Sequence, residues 1–127
     1  MIISTPVSLG ELVDKLSILH IKNINIKDDE KLKLIREEFD LLNKTLNDHI
    51  KRDDIQKYLD SLIEINSKLW VIEDDIRDCE RNKNFDQKFI DLARSVYFTN
   101  DKRSEVKLDI NKNFGSTIIE VKSYEEY

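Results

Sequence analysis

The sequence predicts an all-α fold, an up-down antiparallel bundle of about four helices within a single domain of residues 1–127. Three observations lead to this prediction. Four segments repeat apolar residues at three- and four-residue spacing, the period of an amphipathic helix. Charged residues make up 37% of the chain and only two Gly and one Pro are present, which suits long solvated helices and leaves few turn residues for a β fold. The connections are short, which favours antiparallel neighbours.

The first two helices are predicted from their start signals and apolar spacing. Residues 8–11 have a capping-box pattern, with Ser8 as the cap and Glu11 three residues later. Helix 1 then runs to about residue 24, and its wide apolar face predicts contact with more than one neighbour. Helix 2 begins at residues 27–29 and runs to about residue 48, with acidic residues at its N-terminus. A break follows near residues 50–53, where Asp53 or Asp54 can cap the next helix.

The next two helices are predicted to be longer and to form a hairpin. Helix 3 covers about residues 54–81, the turn lies at residues 82–84, and helix 4 runs from a cap at Asp86 to about residue 113. Gly115 stands just beyond as a C-terminal stop. Each helix has an apolar seam: Ile55, Tyr58, Leu62, Ile65, Leu69, Ile72 and Ile76 on helix 3, and Phe85, Phe89, Leu92, Val96, Thr99, Arg103, Val106 and Ile110 on helix 4.

Both ends of the sequence are predicted to be extended arms. An up-down bundle brings the start of helix 1 beside the end of helix 4, so residues 1–7 and 116–124 become neighbours that could pair as a small ribbon. The hairpin tip, residues 75–89, projects if helices 3 and 4 outlast the other two. We therefore predict a homodimer in which this tip packs against a second copy, a prediction that depends on helix length alone.

Composition argues against several partners and compartments. The net charge is −5, and the 21 basic residues are interleaved with 26 acidic ones, so no basic face is predicted and nucleic-acid binding is not expected. No apolar run reaches the ~20 residues of a membrane span, and residues 1–6 lack a secretory signal. With Cys79 as the single cysteine, no internal disulfide can form, and we expect a cytoplasmic protein without a membrane association.

No cofactor and no metal is predicted from motifs. The two histidines, His20 and His49, lie far in sequence from Cys79, so no zinc-ligand spacing exists. The chain also lacks a Gly-rich phosphate loop and a serine with a recognisable base. Cys79 stands among charged neighbours and is interpreted as inert.

Arg103 and Thr99 interrupt the apolar seam of helix 4. A buried guanidinium is costly unless it is paired, so Arg103 implies a partner, which is either a protein carboxylate or a bound anion. The alternative is that Arg103 lies at the edge of the face and extends its head group to water.

Polar and aromatic stripes on the two helices of the hairpin form the candidate ligand site. Antiparallel pairing about the predicted turn sets Glu73 opposite Arg94, Trp70 opposite Tyr97, and Asn66 near Asn100 and Asp101. Such a groove could stack a base or sugar and clamp a phosphate. The alternative is a solvated, salt-bridged hairpin with an aromatic pair at its edge. The candidate ligand-binding residues are Trp70, Glu73, Arg77, Arg94, Tyr97, Asn100, Asp101, Arg103 and Lys107.

The first turns of helix 1 give a third candidate position. Glu11 and Asp14 should lie at the same end of the bundle as Lys107, and Glu11 can pair with Lys107. The two carboxylates could instead hold a divalent metal, because Mg²⁺ is often bound by one or two carboxylates together with substrate phosphates. Acid pairs at this spacing are common on helix surfaces.

The motifs resemble those of a small family of uncharacterised bacterial and phage proteins. The resemblance begins with PVSLGELVDK at residues 6–15, returns at Leu69-Trp70 with Glu73 and Arg77, continues through residues 93–111, and closes with GSTIIEVKSY at residues 115–124. It covers nearly the whole chain and implies a fold length and a set of shared positions, but no activity. The pattern LWVIEDDIR at residues 69–77 also resembles a second uncharacterised helical family. Both resemblances imply a link to bacterial cell-surface polysaccharide genes.

Three functional hypotheses remain open at the level of sequence. The first is a protein that binds a phosphorylated or nucleotide-sugar ligand, and it predicts that Arg103 faces a pocket with an unpaired donor. The second is a structural or interaction protein acting as a homodimer, in which every charge finds a protein partner. The third is a metal-dependent hydrolase or isomerase, which requires at least three of Glu11, Asp14, Glu73 and Asp101 to converge.

Overall fold

The computed structural model describes residues 1–127 and contains four α-helices and no strand. The helices are α1 (Leu9–Asn25), α2 (Asp29–His49), α3 (Arg52–Arg81) and α4 (Gln87–Asn113). The predicted all-α fold of four helices is therefore confirmed. No helix combines the length and the apolar character that crossing a membrane requires.

Three helix starts follow the predicted capping chemistry. The Ser8 side chain accepts a hydrogen bond from the backbone N–H of Glu11, at 3.1 Å. Asp28 and Asp86 cap α2 and α4 in the same manner. Each of these side chains satisfies a backbone donor that the helix itself leaves unpaired.

The start of α3 differs from the prediction. Its N-cap is Lys51, which makes no side-chain capping bond, and Asp53 and Asp54 lie inside the first turn. The prediction that one of these aspartates caps the helix is therefore wrong. Their charges instead stabilise the helix through its dipole, which favours acids in the first turn.

Gly115 ends α4 and redirects the chain. Its φ of 65° lies in the left-handed region, where a side chain is disfavoured. The N–H of Ser116 donates to the carbonyl of Asn111 at 2.8 Å, which closes the helix in the manner of a C-terminal glycine stop. From this point the chain turns back along α4.

Helix α1 is the centre of the packing, since it contacts α2, α3 and α4, while α3 and α4 make the most extensive helix pair. This explains its wide apolar face. Each fully buried aliphatic side chain contributes roughly 1.5–3 kcal/mol relative to an exposed one. The core cluster draws on all four helices and consists of Leu12, Val13, Leu16, Leu46, Ile55, Leu59, Leu62 and Ile110.

The hairpin of α3 and α4 is much less buried than the rest. Between residues 67 and 109 only Cys79, a free thiol, is buried. The seam residues in this stretch, such as Leu69 and Leu92, are half-buried, and Ile90 and Phe98 are exposed. The hairpin therefore has a packed seam but no closed core of its own.

The two terminal arms lie next to each other at their roots but do not pair as a ribbon. The N–H of Leu9 donates to the Ser116 hydroxyl at 3.3 Å, which places the start of α1 beside the end of α4 as predicted. Residues 1–7 are exposed throughout, and no strand forms in either arm. We call residues 116–127 the tail segment.

Candidate ligand-binding groove between helix α4 and the tail segment

A buried carboxylate and a guanidinium form the centre of the site. The side chain of Asp14 is 1% exposed, and Arg103 binds both of its oxygens, Nε at 2.9 Å from Oδ1 and Nη2 at 2.5 Å from Oδ2. The hydrogen bond to Asp14 raises the pKa of Arg103, against the effect of burial. The partner that the sequence analysis required for Arg103 is thus a protein carboxylate.

Helix α3 contributes an amide to the same network. Asn66 donates from Nδ2 to Asp14 Oδ1 at 2.9 Å and to Ser17 Oγ at 2.7 Å. The Ser17 hydroxyl in turn donates to the carbonyl of Asp14 at 2.6 Å. Residues 14 and 17 are three apart and so share one face of α1. The network joins α1, α3 and α4, and a satisfied buried network of this kind fixes the orientation of its members.

Arg103 keeps one nitrogen free. Its Nε and Nη2 are used by Asp14, and Nη1 has no protein acceptor. No buried side-chain nitrogen or oxygen in the molecule lacks a hydrogen-bond partner, so Nη1 must be open to solvent. The side chain of Arg103 is 28% exposed. Its guanidinium is therefore bound to Asp14 along one edge and open to solvent at another.

Lys107 lies one turn from Arg103 and is surrounded by carboxylates. Its side chain is 12% exposed, and Nζ is 2.8 Å from Glu11 and 3.2 Å from Glu120, with Asp14 at 4.0 Å. Burial acts to lower the pKa of Lys107, but the hydrogen bonds to Glu11 and Glu120 outweigh it and raise the pKa. The predicted Glu11–Lys107 pair is present, with Glu120 as an additional partner from the tail segment.

The tail segment forms the second wall of an open groove along α4. The groove has a volume of about 1220 Å³. At its far end the Tyr127 hydroxyl donates to the Asp101 carboxylate, and the ring packs against Tyr97 and Phe98 with centroid distances of 5.2 and 5.0 Å. The hydrogen bond to Asp101 raises the pKa of Tyr127 to about 12.

Five of the nine candidate residues from the sequence analysis line this groove. They combine an aromatic ring, an amide, a carboxylate and two cations. All five belong to α4, and their spacing places them on one side of that helix. The five are Tyr97, Asn100, Asp101, Arg103 and Lys107.

The other four candidates lie outside the groove. Trp70 is half-buried on α3, and Arg94 lies over the Phe98 ring at 5.9 Å. Glu73 pairs with Arg77 on its own helix at 3.9 Å, with both side chains more than half exposed. No ion pair joins Glu73 to Arg94, and both side chains are exposed. The structure therefore does not assemble the α3 half of the predicted site.

The second wall of the groove, which the tail segment forms, and the hydrogen-bond network beneath Arg103 were not predicted from the sequence. The helical periodicity does not indicate that the tail segment folds back over α4. The sequence contains the carboxylate of Glu120 and the phenol of Tyr127, but it does not show where they lie. Ser17 offered a clearer signal, because it lies within the apolar face of α1 where a hydroxyl needs a buried partner. Asn66 was assigned to the polar stripe of the hairpin, whereas it faces α1.

The carboxylates that a metal centre would need do not converge. Asp14 is paired with Arg103, Glu11 with Lys107 and Glu73 with Arg77, while Asp101 accepts from Tyr127. No group of three or more His, Cys, Asp or Glu side chains has a geometry that could hold a metal ion.

Comparison with known proteins places the chain in a family. The model of a family of unknown function, DUF6165, matches residues 3–127. Since this covers nearly all of the sequence, the chain belongs to that family. No curated protein and no solved structure matches the chain.

Proposed function

We propose that this protein binds a small anionic ligand, a phosphorylated compound or a nucleotide-sugar, on the face of α4 that lines the groove. One observation carries the proposal. Asp14 holds Arg103 through Nε and Nη2, Nη1 has no protein acceptor, and Arg103 and Lys107 line the same groove as Tyr97. A donor of Arg103 that no protein group uses is the feature on which the ligand-binding hypothesis depends.

Preorganisation supports a binding role for this guanidinium. A side chain that is already fixed loses little conformational entropy when it binds a ligand. The Asp14 carboxylate fixes Arg103 through two parallel hydrogen bonds, and Asn66 fixes Asp14. Guanidinium and ammonium groups are the usual protein partners of phosphate oxygens.

The aromatic and polar lining supports a ligand with a ring. Tyr97 lines the groove from α4 together with Asn100 and Asp101. Aromatic faces stack on bases and sugars, and amides and carboxylates orient them through hydrogen bonds. The sequence resemblance to families associated with surface polysaccharide genes supports the nucleotide-sugar class.

The proposal is tested by a thermal-shift screen with inorganic phosphate, nucleotides, nucleotide-sugars and sugar phosphates, with and without Mg²⁺. A ligand that binds the folded state stabilises it by ~2.7 kcal/mol at one hundred times its dissociation constant. We expect a shift for at least one phosphate-bearing compound. Hits are then measured by calorimetry on Lys107→Met, which keeps most of the stem and removes the ammonium.

Lys102→Met is the matched control. Lys102 is on the same helix, is exposed, makes no hydrogen bond or ion pair, and does not line the groove. Binding that is lost in Lys107→Met and retained in Lys102→Met supports the groove as the site. Equal affinity in both variants, or no shift with any compound, refutes the proposal.

The second candidate function is an interaction protein that acts as a homodimer. It is favoured by the exposed apolar side chains of the hairpin, including Val71, Phe85 and Ile90, at 57, 50 and 47% exposure. Apolar helix stripes are normally buried against another element. Sedimentation analysis of the wild type and of Ile90→Glu tests it: a dimer that dissociates in the variant supports this function, and a monomeric wild type contradicts it.

A further inference from the structure

Three carboxylates lie within 4.0 Å of the Lys107 ammonium, and they stand on parts of the chain that differ in how well they are packed. Glu11 and Asp14 belong to α1, in the packed centre of the bundle. Glu120 belongs to the tail segment, which contains no helix or strand, and its side chain is 45% exposed. Of the three, only Glu120 stands on a segment that can move away from Lys107 without disturbing the helices.

The tail segment is attached by side chains alone beyond its first residue. No backbone–backbone hydrogen bond involves residues 117–127, because the last one runs from Ser116 to Asn111. The attachments to α4 are Glu120 on Lys107 and Tyr127 on Asp101, Tyr97 and Phe98. A segment with few buried contacts and no backbone ladder belongs to the least stable part of a fold.

The tail segment is longer than the stretch of α4 that it runs beside. From residue 113 back to residue 101, α4 measures about 18 Å, whereas eleven extended residues span roughly 36 Å. The chain must therefore arch between its two attachments, which leaves the open groove beneath it.

The two attachments have the chemistry expected of a ligand. One is a carboxylate on Lys107, one turn from Arg103, and the other is an aromatic ring with a hydroxyl donor, packed edge to face against Tyr97 and hydrogen-bonded to Asp101. Six residues of α4 separate the two, which corresponds to about 9 Å. An oxyanion and a hydrogen-bonding ring at about that separation describe a nucleoside diphosphate or its sugar ester.

Charge favours an anion that replaces Glu120 over one that is added beside it. Arg103 and Lys107 face three carboxylates, those of Glu11, Asp14 and Glu120, and Lys122 is bound to Glu120 on the tail segment itself. An anion added beside Glu120 would meet all three carboxylates at short range. An anion that displaces the tail segment meets only Glu11 and Asp14.

We infer that the tail segment is a built-in competitor that occupies the ligand site, with the Glu120 carboxylate in the position of the ligand's oxyanion and the Tyr127 ring in the position of the ligand's ring. This inference rests on the proposed function. It assigns the ligand class, and it requires the tail segment to detach before the ligand binds. The ligand binds only to molecules whose tail segment is detached, so its apparent dissociation constant equals the intrinsic constant divided by the fraction of molecules whose tail segment is detached.

The test compares two probes on the full chain by calorimetry. Uridine diphosphate carries both a ring and an oxyanion, and inorganic phosphate carries only the oxyanion. In Glu120→Gln the competing charge is gone, and we expect uridine diphosphate to bind roughly three- to tenfold more tightly than in the wild type. Glu126→Gln, which removes an equal charge from a tail residue without hydrogen bonds, should bind as the wild type does.

A second measurement follows the tail segment itself. In protein labelled with 3-fluorotyrosine, the ¹⁹F resonance that disappears in Tyr127→Phe reports the packing of that ring. Saturating uridine diphosphate should move it to the position of a solvent-exposed tyrosine, and phosphate should leave it largely in place. Binding that depends on Lys107 with no gain in Glu120→Gln and an unchanged Tyr127 signal overturns the competitor role and leaves the proposed function standing. If neither the wild type nor Glu120→Gln binds either probe, the inferred ligand class and the competitor role are refuted, and the proposed function is decided by the other compounds of the screen.

Discussion

The carboxylate of Asp14 and the guanidinium of Arg103 stand 89 residues apart in the sequence and meet through two parallel hydrogen bonds. Asn66 donates to the same carboxylate from α3. The buried Asp14 carboxylate thereby fixes α1, α3 and α4 relative to one another. Because this network also fixes the guanidinium of the groove, the stability of the bundle and the geometry of the candidate site depend on the same contacts.

Removing the cation of this pair should destabilise the fold. In Arg103→Met the 1%-exposed carboxylate of Asp14 keeps the Asn66 amide and the Lys107 ammonium at 4.0 Å, and breaking a buried pair costs about 3–5 kcal/mol. Since Arg103 is partly exposed, we expect a loss near the lower value, about 3 kcal/mol, in the free energy of unfolding by urea. Arg94→Met, an exposed arginine on the same helix, should change it by less than about 0.5 kcal/mol.

The pair can be replaced as a unit. Buried ion pairs exchanged for apolar residues of similar volume are often neutral or stabilising, so Asp14→Leu combined with Arg103→Met should recover most of the stability that Arg103→Met loses. A double-mutant cycle by urea unfolding measures the coupling. A coupling energy below about 0.5 kcal/mol would show that the two side chains do not depend on each other.

Acid should release the tail segment. The hydrogen bonds from Lys122 and Lys107 lower the pKa of Glu120 from 4.5, so the folded state binds this proton less readily than the unfolded state does. The contribution is fully present above pH 4.5 and is lost as the pH falls through the lower folded value. With a side chain 45% exposed, it amounts to at most about 1 kcal/mol. Urea unfolding of the wild type and Glu120→Gln should differ near neutral pH, and the difference should shrink as the pH falls below 4.5; a constant difference contradicts the ion-pair role.

Alkali should release the other end of the tail segment. The hydrogen bond to Asp101 raises the pKa of Tyr127 to about 12, so its contribution is present below the ordinary value of 10 and is lost as the pH rises through about 12. Absorbance at 295 nm should show a phenolate step near pH 12 that moves down in Asp101→Asn. Asp109→Asn, an exposed aspartate on the same helix, should leave the step in place, and a step that Asp101→Asn does not move contradicts the contact.

The fold was predictable because helix caps and apolar spacing are local signals. Ser8 and Asp86 cap as predicted, α2 begins within the predicted residues 27–29, and Gly115 ends α4. The α4 half of the site was predictable for the same reason, since Arg103 interrupts an apolar seam and residues 97–107 share a face. The α3 half was not, because the rotation of α3 about its own axis decides whether Asn66 faces the hairpin or α1. That rotation depends on Asp14, which is 52 residues distant.

Gly10 offers a test of how closely α1 and α4 approach at the end of the groove. Its N–H donates to Asn111 Oδ1 at 2.7 Å, and a Cβ at this position would lie 2.5 Å from the backbone oxygen of Lys107. Alanine normally stabilises a helix by up to about 1 kcal/mol relative to glycine. Here we expect Gly10→Ala to lower the free energy of unfolding by about 2 kcal/mol, the cost of inserting a carbon into a packed contact. Asn47→Ala, at an exposed position of α2, gives the ordinary propensity gain as the control. Because the obstacle is backbone and cannot rotate away, a stabilising Gly10→Ala would mean that the two helices lie farther apart than the structure places them, and that Lys107 is not fixed beside Glu11.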